Sequence, residues 1–352
     1  MISQHVVRSD FESAAQVIAW LGALQAQDYL SALWAIGLRT VALTEADIEQ
    51  AIAARQIVRS WPMRGTIHFV AAADLRWMLA LLAPRVMRGA QGRLRQLEID
   101  AQLLSQSAHI MSNALAGGKH MTRPALYACL AQAGIVAKGS RGLHILGQLS
   151  MQGLLCFGVR EGKQPTFTLL DEWIAPTPII SHEEALARLM LRYFTGHGPA
   201  TAQDCMWWSG LTTTEVKAGL AMLAGQLAHE RIDGQDYYYA TEQRVIPFDS
   251  QQVMLLPPFD ELLLGYRDRS ASLDPAHNTL VAPGSNGIFN PIVVMNGRVV
   301  GLWKRSLKRQ TVTVTWTPFD ATETFDHGQQ TALVQAAERY AAFLGLSLVM
   351  SS

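Results

Sequence analysis

Residues 122–172 read TRPALYACLAQAGIVAKGSRGLHILGQLSMQGLLCFGVREGKQPTFTLLDE, and in them two helical patterns precede two short apolar runs. Thr122, with a proline two residues later, predicts a helix start, because threonine caps helices and proline fits the first turn. Apolar residues at helical spacing predict a second helix over 142–155. The runs 156–159 and 166–170 flank a glycine-containing turn and predict a β-hairpin. Helix, helix and hairpin in this order predict a winged helix.

The same pattern occurs twice more. Before residue 240, threonine capping patterns at Thr201 and Thr212 predict two helices, and the Asp233-Gly234 pair predicts the turn of a hairpin. Residues 13–70 also fit the pattern, with a helix, a capped helix and a strand pair in sequence.

Residues 245–318 are rich in β-branched runs and predict a small antiparallel sheet or barrel, with Asn296-Gly297 as a hairpin turn and a closing helix over 331–344. We therefore expect an α+β protein of three tandem winged helix-turn-helix units plus a C-terminal antiparallel β-barrel-like region. The expected domains are 1–118 (first winged helix with a helical extension), 119–178 (second winged helix), 179–244 (third winged helix) and 245–352 (β-barrel-like domain with its closing helix).

The composition narrows the protein class. The chain has 352 residues, 49% of them hydrophobic and 16% charged, so it can bury a large core. Its three cysteines form no C-x-x-C pair and predict neither a disulfide framework nor a thiolate metal site. The N-terminus lacks a signal-peptide pattern, and no apolar run is long enough to span a bilayer. We expect a soluble, cytoplasmic protein that does not associate with membranes.

The charges are unevenly distributed. The chain has 29 basic and 29 acidic residues, a net charge of zero that argues against a protein that coats polyanions but allows a local basic patch. Residues 59–95 contain seven arginines and one acid, a pattern that also fits a solvated helix face. Four cations follow Trp303, and they predict phosphate contacts: Lys304, Arg305, Lys308 and Arg309.

Several enzyme classes have no motif here. The chain lacks a P-loop, a zincin helix, a G-x-S-x-G elbow and a dinucleotide-binding glycine pattern, so we expect no metal and no cofactor. Asp260 and Glu261 resemble a carboxylate pair. Adjacent residues on a strand point to opposite faces, which predicts one structural and one solvated carboxylate.

Gln25 and Gln27 are the strongest candidates for chemistry. On an extended or tightly turned backbone, residues at i and i+2 project to one side, and the flanking residues are apolar. Uncharged amides in such surroundings are either hydrogen-bonded in a structural role, such as helix capping or a buried polar network, or functional. Asp28 competes as a general base, although on an extended segment it is expected to face away.

Four ordered blocks carry a family resemblance. They are QAQ at 25–27, RSWPMRGTIHFV at 59–70, FDELLLGYRDR at 259–269 and GRVVGLWKR at 297–305. Together they resemble the AlkZ-like winged-helix DNA glycosylases over nearly the whole chain. The resemblance implies three winged helices and a β-barrel around a DNA-sized concavity. It also implies excision of bulky, cationic N7-alkylguanine adducts, including the unhooking of interstrand crosslinks.

The resemblance also implies roles for individual residues. The paired glutamines are the family's catalytic motif, here Gln25 and Gln27. We interpret the cations in or beside the blocks as DNA contacts: Arg64, Arg267, Arg269, Lys304, Arg305, Lys308 and Arg309. Asp28, His68 and Trp61 are candidates to line the site, although a lone histidine on a strand is more often a core residue and Trp61 also suits a core.

The expected function is that of a monofunctional DNA glycosylase without a cofactor. Its expected partner is double-stranded DNA containing alkylated bases. Three winged helices in one chain favour a monomer. The alternative is a non-catalytic winged-helix DNA-binding protein, either a transcription regulator or a lesion binder, which would typically be a dimer.

Overall fold

The computed structural model describes residues 1–241, 252–284, 287–320 and 325–350 and shows a mixed α+β fold. The chain divides into two compact units. The terminal unit comprises Met1–Ile48, Leu191–Trp208 and Leu223–Ser352, and the central unit comprises Glu49–Met190 and Ser209–Met222. The expected boundary between residues 244 and 245 lies outside the described residues, and the four expected domains stay a prediction.

The N-terminal elements include the predicted helix, capped helix and hairpin, and a further helix that was not predicted, Tyr29–Gly37, lies between the first two. The elements are α1 (Ala14–Leu21), β1 (Leu24–Gln25), α2 (Tyr29–Gly37), α3 (Glu45–Ala53), β2 (Ile57–Met63) and β3 (Thr66–Ala71). Ser13 and Gln16 cap α1 by a reciprocal pair of hydrogen bonds. β2 and β3 pair antiparallel around Arg64 and Gly65, whose positive φ angles suit a two-residue hairpin turn.

The predicted helix–helix–hairpin pattern after Thr122 is confirmed. The elements here are α4 (Leu75–Gly89), α5 (Gln91–Gln96), α6 (Ala101–Leu115), β4 (Met121–Thr122), α7 (Arg123–Gln132), α8 (Gly139–Met151), β5 (Leu155–Phe157), β6 (Thr166–Leu169) and α9 (Leu170–Trp173). The second helix is shorter than predicted, because Gly153 adopts a φ of +80° and ends it. The amides of Gly153 and Leu154 cap the last carbonyls of α8, and Leu155 then begins a strand.

The next copy of the pattern is also present. It consists of α10 (His182–His197), β7 (Ala200–Thr201), α11 (Ala202–Ser209), α12 (Thr213–Met222), β8 (Leu227–Ile232) and β9 (Gln235–Ala240). Both predicted caps form, since Thr201 bonds reciprocally with Asp204 and Thr212 with Glu215. β8 and β9 form a hairpin around the predicted Asp233-Gly234 turn.

The C-terminal region is built on one five-stranded sheet in the order β10-β11-β12-β13-β14, a curled half-barrel. Its elements are β10 (Val253–Leu256), α13 (Glu261–Leu264), a 3₁₀ turn (Pro275–His277), α14 (Asn278–Val281), β11 (Ile292–Met295), β12 (Arg298–Leu307), β13 (Thr311–Pro318), α15 (His327–Leu344) and β14 (Ser347–Met350). The Asn296-Gly297 turn and the closing helix are confirmed.

Two expectations for this region are wrong. The sheet is not wholly antiparallel, because β14 pairs parallel with β13. The crossover through α15 returns the chain to the end of the sheet at which β13 begins, as a parallel pair requires. The apolar run at 262–264 is helical rather than extended, because the Asp260 side chain accepts a hydrogen bond from the amide of Leu262 and caps α13.

None of the helices in the described ranges combines the length and apolar character that crossing a bilayer requires.

Gly153→Ala should lower the free energy of unfolding by about 1–2 kcal/mol, because an L side chain is strained in the left-handed conformation. An added Cβ would meet only ordinary contacts there, the nearest at 3.9 Å, so strain alone is tested. Chemical denaturation measures the effect.

The matched control is Gly92→Ala on α5, where an added Cβ meets nothing within 4 Å. This change should stabilise the protein by about 0.5 kcal/mol, because alanine loses less conformational entropy in a helix. Equal changes in the free energy of unfolding at the two glycines would contradict the explanation that the positive φ angle of Gly153 ends α8.

Candidate active site

Gln25 and Gln27 place their amides side by side at the end of β1. The Nε2 group of Gln25 donates a hydrogen bond to Oε1 of Gln27 at 3.1 Å. Gln25 is buried, Ala26 between them is fully buried, and Gln27 is exposed. Both side chains therefore project to one side of the backbone, as the i, i+2 spacing predicts. The amide of Gln27 reaches solvent.

Asp28 lies beside the glutamines and caps the next helix. Its side chain accepts a hydrogen bond from the amide of Ser31 at 3.1 Å, at the N-terminus of α2. The carboxylate therefore satisfies an otherwise unpaired helical amide, the ordinary role of aspartate at this position. The side chain is also exposed.

A buried carboxylate holds the backbone of Gln25. The amide of Gln25 donates to Oε1 of Glu261 at 3.4 Å. The indole Nε1 of Trp208 donates to Oε2 of Glu261 at 2.9 Å, and Nε2 of His197 lies 3.2 Å from the same oxygen. Glu261 and His197 are completely buried. The prediction that one carboxylate of the Asp260–Glu261 pair is solvated is therefore wrong, because the pair starts a helix inside the protein instead of lying on a strand.

Asp260 forms a second buried ion pair. Its two carboxylate oxygens each accept a hydrogen bond from Arg39 at 2.8 Å, and both side chains are buried. Arg39 also donates to the carbonyl oxygens of Gln4 and Ala35. The Nε2 group of Gln4 in turn donates to the carbonyl of Glu261 at 3.0 Å. This network ties the N-terminus, the end of α2 and the start of α13 together.

Sequence reasoning missed most of these residues. Gln4, Arg39, His197 and Trp208 belong to no motif and are far apart in the chain. Glu261 could have been found, since it lies in the FDELLLGYRDR block that carries the family resemblance. Its burial was not predicted, because the block was interpreted as a strand with one carboxylate facing solvent.

Three of the predicted DNA-binding cations are already engaged inside the terminal unit. Arg267 donates to Oε1 of Gln203 at 2.9 Å. Arg269 donates to the carbonyl of Leu263 and packs against two aromatic rings, and burial lowers the pKa of its guanidinium. Arg305 contacts the hydroxyl and ring of Tyr340 on α15. These contacts hold the guanidinium groups in place and leave less of them available to a partner.

The other three predicted DNA-binding cations in the terminal unit, Lys304, Lys308 and Arg309, are exposed. Lys304 lies within β12, not at its end, and alternation along the strand turns it to solvent while Arg305 faces α15. Lys308 and Arg309 form the turn between β12 and β13. Lys304, Lys308 and Arg309 therefore form the hairpin cations, a set of positive charges accessible from solvent.

The remaining candidate site residues, Trp61, Arg64 and His68, lie in the central unit. Trp61 is half-buried and stacks on Phe157 with ring centroids 4.9 Å apart, so it packs against the apolar core of that unit. His68 is completely buried. Its Nδ1 lies 3.0 Å from the carbonyl of Thr66, and its Nε2 lies 3.3 Å from a guanidinium nitrogen of Arg64. Both ring nitrogens are satisfied when Nδ1 carries the proton, which fits the core alternative for this histidine.

Within the described ranges, no group of three or more His, Cys, Asp or Glu side chains could hold a metal ion.

The burial of His68 predicts a pH dependence of stability. Burial first, and then the nearby Arg64 guanidinium, lowers the pKa of His68 from 6.5 to about 3. The unfolded chain therefore takes up a proton near pH 6.5 that the folded chain refuses, and the free energy of unfolding falls between pH 6.5 and about 3. This histidine contributes a slope of up to about 1.4 kcal/mol per pH unit.

His68→Asn should flatten the slope, because asparagine keeps a donor near Thr66 but does not titrate. Urea denaturation at pH 7.5, 6 and 5, conditions chosen to bracket the transition, measures it. The difference between the variant and the parent chain should be constant above pH 7 and shrink below it. An unchanged slope would contradict a neutral buried histidine.

Comparison with known proteins identifies the family. The chain is 27% identical over 336 residues to an interstrand DNA cross-link repair glycosylase of Streptomyces sahachiroi, covering 88% of this chain and 86% of that protein. The solved structure of the Streptomyces sahachiroi DNA glycosylase AlkZ has the same fold, with a TM-score of 0.76 and 24% identity, covering 99% of this chain and 96% of that chain. Residues 18–343 match the family described as DNA glycosylase AlkZ-like. The resemblance carried by the four sequence blocks is thereby confirmed, and the chain belongs to the AlkZ-like DNA glycosylase family.

Proposed function

We propose that this chain is a monofunctional DNA glycosylase that hydrolyses the N-glycosidic bond of cationic N7-alkylguanine in double-stranded DNA. Gln25 and Gln27 are its catalytic residues and position the attacking water. The observation that carries the proposal is the contact between the two amides, one buried and one exposed.

The chemistry suits a pair of amides. An N7-alkylated guanine carries a positive charge and leaves readily, so strong acid catalysis is unnecessary. The enzyme has to orient water and stabilise an oxocarbenium-like centre. Amide oxygens accept hydrogen bonds from water and carry partial negative charge, so they do both without a carboxylate. Asp28 already accepts a helix-capping hydrogen bond, which supports ranking it below the glutamines.

The substrate class extends to interstrand crosslinks. The Streptomyces sahachiroi relative carries crosslink repair in its name. Gln27 is exposed, so a lesion can approach it without entering a deep cavity. Chemistry of this kind does not require a crosslinked base to flip fully out of the duplex, which its covalent tether would prevent. Unhooking of a crosslink is then the same hydrolysis at a tethered base.

DNA binding rests on the hairpin cations and on three winged-helix units. Each winged-helix unit contains consecutive helices followed by a hairpin, and short strands extend the hairpins of the second and third units in the orders β4-β6-β5 and β7-β9-β8. Three such units in one chain supply several DNA contacts without a second copy. We therefore expect a monomer in sedimentation experiments, free and on DNA.

Replacement of both glutamines tests the catalytic role of their amides. The parent chain, incubated with duplex DNA containing 7-methylguanine or a nitrogen-mustard crosslink, should release free base or unhook the crosslink. Gln25→Ala combined with Gln27→Ala should reduce the single-turnover rate constant by at least about 100-fold, because the water loses its orienting groups. Chromatography of the released base measures the rate.

The matched control is Asp28→Ser, which keeps a helix cap but removes the carboxylate. It should excise at close to the parent rate. Loss of excision in this variant would assign the general base to Asp28 instead. Tight binding by the parent chain with no release from either substrate would favour the non-catalytic alternative.

Replacement of the three hairpin cations tests whether they contact DNA phosphates. Replacement of Lys304, Lys308 and Arg309 by alanine should weaken DNA binding and lower the slope of log affinity against log salt by about 2–3, because each phosphate contact contributes about 0.9. Fluorescence anisotropy between 50 and 200 mM salt, the range in which this slope is usually measured, is the assay.

Arg188→Ala serves as the control, since Arg188 is a half-buried cation already paired with Glu184 on the same helix. It should leave the slope unchanged. An unchanged slope in the triple variant would place the phosphate contacts elsewhere.

A further inference from the structure

We propose that Glu261 is a positioning residue for excision: held by Trp208 and His197, it fixes the backbone of Gln25 and so aims the paired amides. This inference rests on the proposed function, because it concerns the geometry of the same site. It adds a buried carboxylate that does not touch substrate.

The two oxygens of Glu261 face different partners. Oε2 accepts the indole N–H of Trp208 at 2.9 Å and lies 3.2 Å from Nε2 of His197. Oε1 faces the amide of Gln25 at 3.4 Å. The side chain is completely buried, so water does not compete for these positions. Two partners on Oε2 prevent the carboxylate from rotating, and Oε1 is thereby held against Gln25.

The backbone of Glu261 is held as well. It is the first residue of α13, whose cap, Asp260, is clamped by both guanidinium nitrogens of Arg39. Its carbonyl accepts a hydrogen bond from Gln4 at 3.0 Å. The carboxylate therefore acts on Gln25 from a rigid support. A fixed support of this kind is what an oriented reacting group requires.

His197 packs against the other side of the Glu261 carboxylate. The Nδ1 atom of His197 lies 3.3 Å from the carbonyl of Tyr193, and its Nε2 atom lies 3.2 Å from Oε2 of Glu261. The imidazole also stacks on the ring of Tyr193 and packs against the indole of Trp208. The imidazole is therefore held in place on both sides, and Glu261 is not an isolated buried carboxylate, which would be costly.

Because β1 has only two residues, few strand hydrogen bonds hold Gln25, and the hydrogen bond from its amide to Glu261 adds to them. The direction of the Gln25 side chain follows from its backbone, and the Gln25 amide in turn bonds Gln27. A displacement of about 1 Å in a positioning group can lower a rate by about 100-fold. Glu261 therefore affects the rate of the chemical step without contacting DNA.

The main test is Glu261→Gln. The new amide has one carbonyl oxygen for two donors, the amide of Gln25 and the indole of Trp208. One of these donors must face an NH₂ group, so the variant loses the defined position of Gln25. The single-turnover rate constant per folded molecule should fall by about 10- to 100-fold. The dissociation constant for lesion DNA should stay within about twofold, since no DNA-binding group has changed.

A second variant separates positioning from stability. Trp208→Phe added to Glu261→Gln removes the conflicting N–H, so the new NH₂ can donate to His197 while the carbonyl again accepts from Gln25. The double variant should excise several-fold faster than Glu261→Gln alone, although it loses the buried indole and unfolds more easily. A merely structural role predicts the same rate per folded molecule in both variants.

The matched control is Asp74→Asn in the central unit, where a buried carboxylate also accepts a tryptophan indole N–H at 2.9 Å. It should lose stability but keep the parent rate per folded molecule. Hydrogen exchange of the segment 24–28 gives a readout independent of activity, and it should be faster in Glu261→Gln than in the parent or in Asp74→Asn.

The outcomes are distinguishable. Excision by the parent chain together with an unchanged rate in Glu261→Gln, or an equal loss in Asp74→Asn, overturns the positioning role and leaves the proposed function intact. No release by the parent chain from either substrate overturns the proposed function and this inference with it. Slower excision, unchanged DNA affinity and faster exchange at 24–28 in Glu261→Gln support the positioning role.

Discussion

Adjacent carboxylates buried at the start of one short helix organise the terminal unit. Asp260 is paired with Arg39, and Glu261 contacts the imidazole of His197 and the indole N–H of Trp208, so neither buried carboxylate lacks a polar partner. Removing one partner of such a pair typically costs about 3–5 kcal/mol, because the other charge is left buried. The N-terminal residues, α2, α10 and α13 all bond to this network, and the backbone of Gln25 rests on it.

The network explains how an uncharged pair of amides can be placed accurately. A glutamine side chain has several rotatable bonds, and ordering it costs conformational entropy. Here the backbone of Gln25 is fixed from inside, and its side chain holds Gln27 by one hydrogen bond. The buried side therefore supplies rigidity, and the exposed amide of Gln27 is left to meet a ligand.

Some cations of the basic sequence blocks bond within the protein, and others are exposed to solvent. A cation in a motif is equally suited to bind a phosphate or to satisfy an internal carbonyl, and the sequence does not distinguish the two. Arg269 and Arg305 are half-buried against partners within the protein, Arg267 is exposed but donates to Gln203, and Lys304, Lys308 and Arg309 are exposed. The difference arises from alternation along β12 and from the aromatic rings beside Arg269, both of which depend on the tertiary fold.

The sequence by itself determined the local structure. The caps at Thr201 and Thr212 and the turns at Asp233-Gly234 and Asn296-Gly297 form as predicted, because they depend on residues only a few positions apart. The i, i+2 spacing of the two glutamines is likewise a local property. Only the tertiary structure decided that the run at 261–264 is a buried helix, that β14 lies parallel to β13, and that Glu261 supports Gln25. These features depend on partners up to 236 residues apart, which no local pattern of the chain encodes.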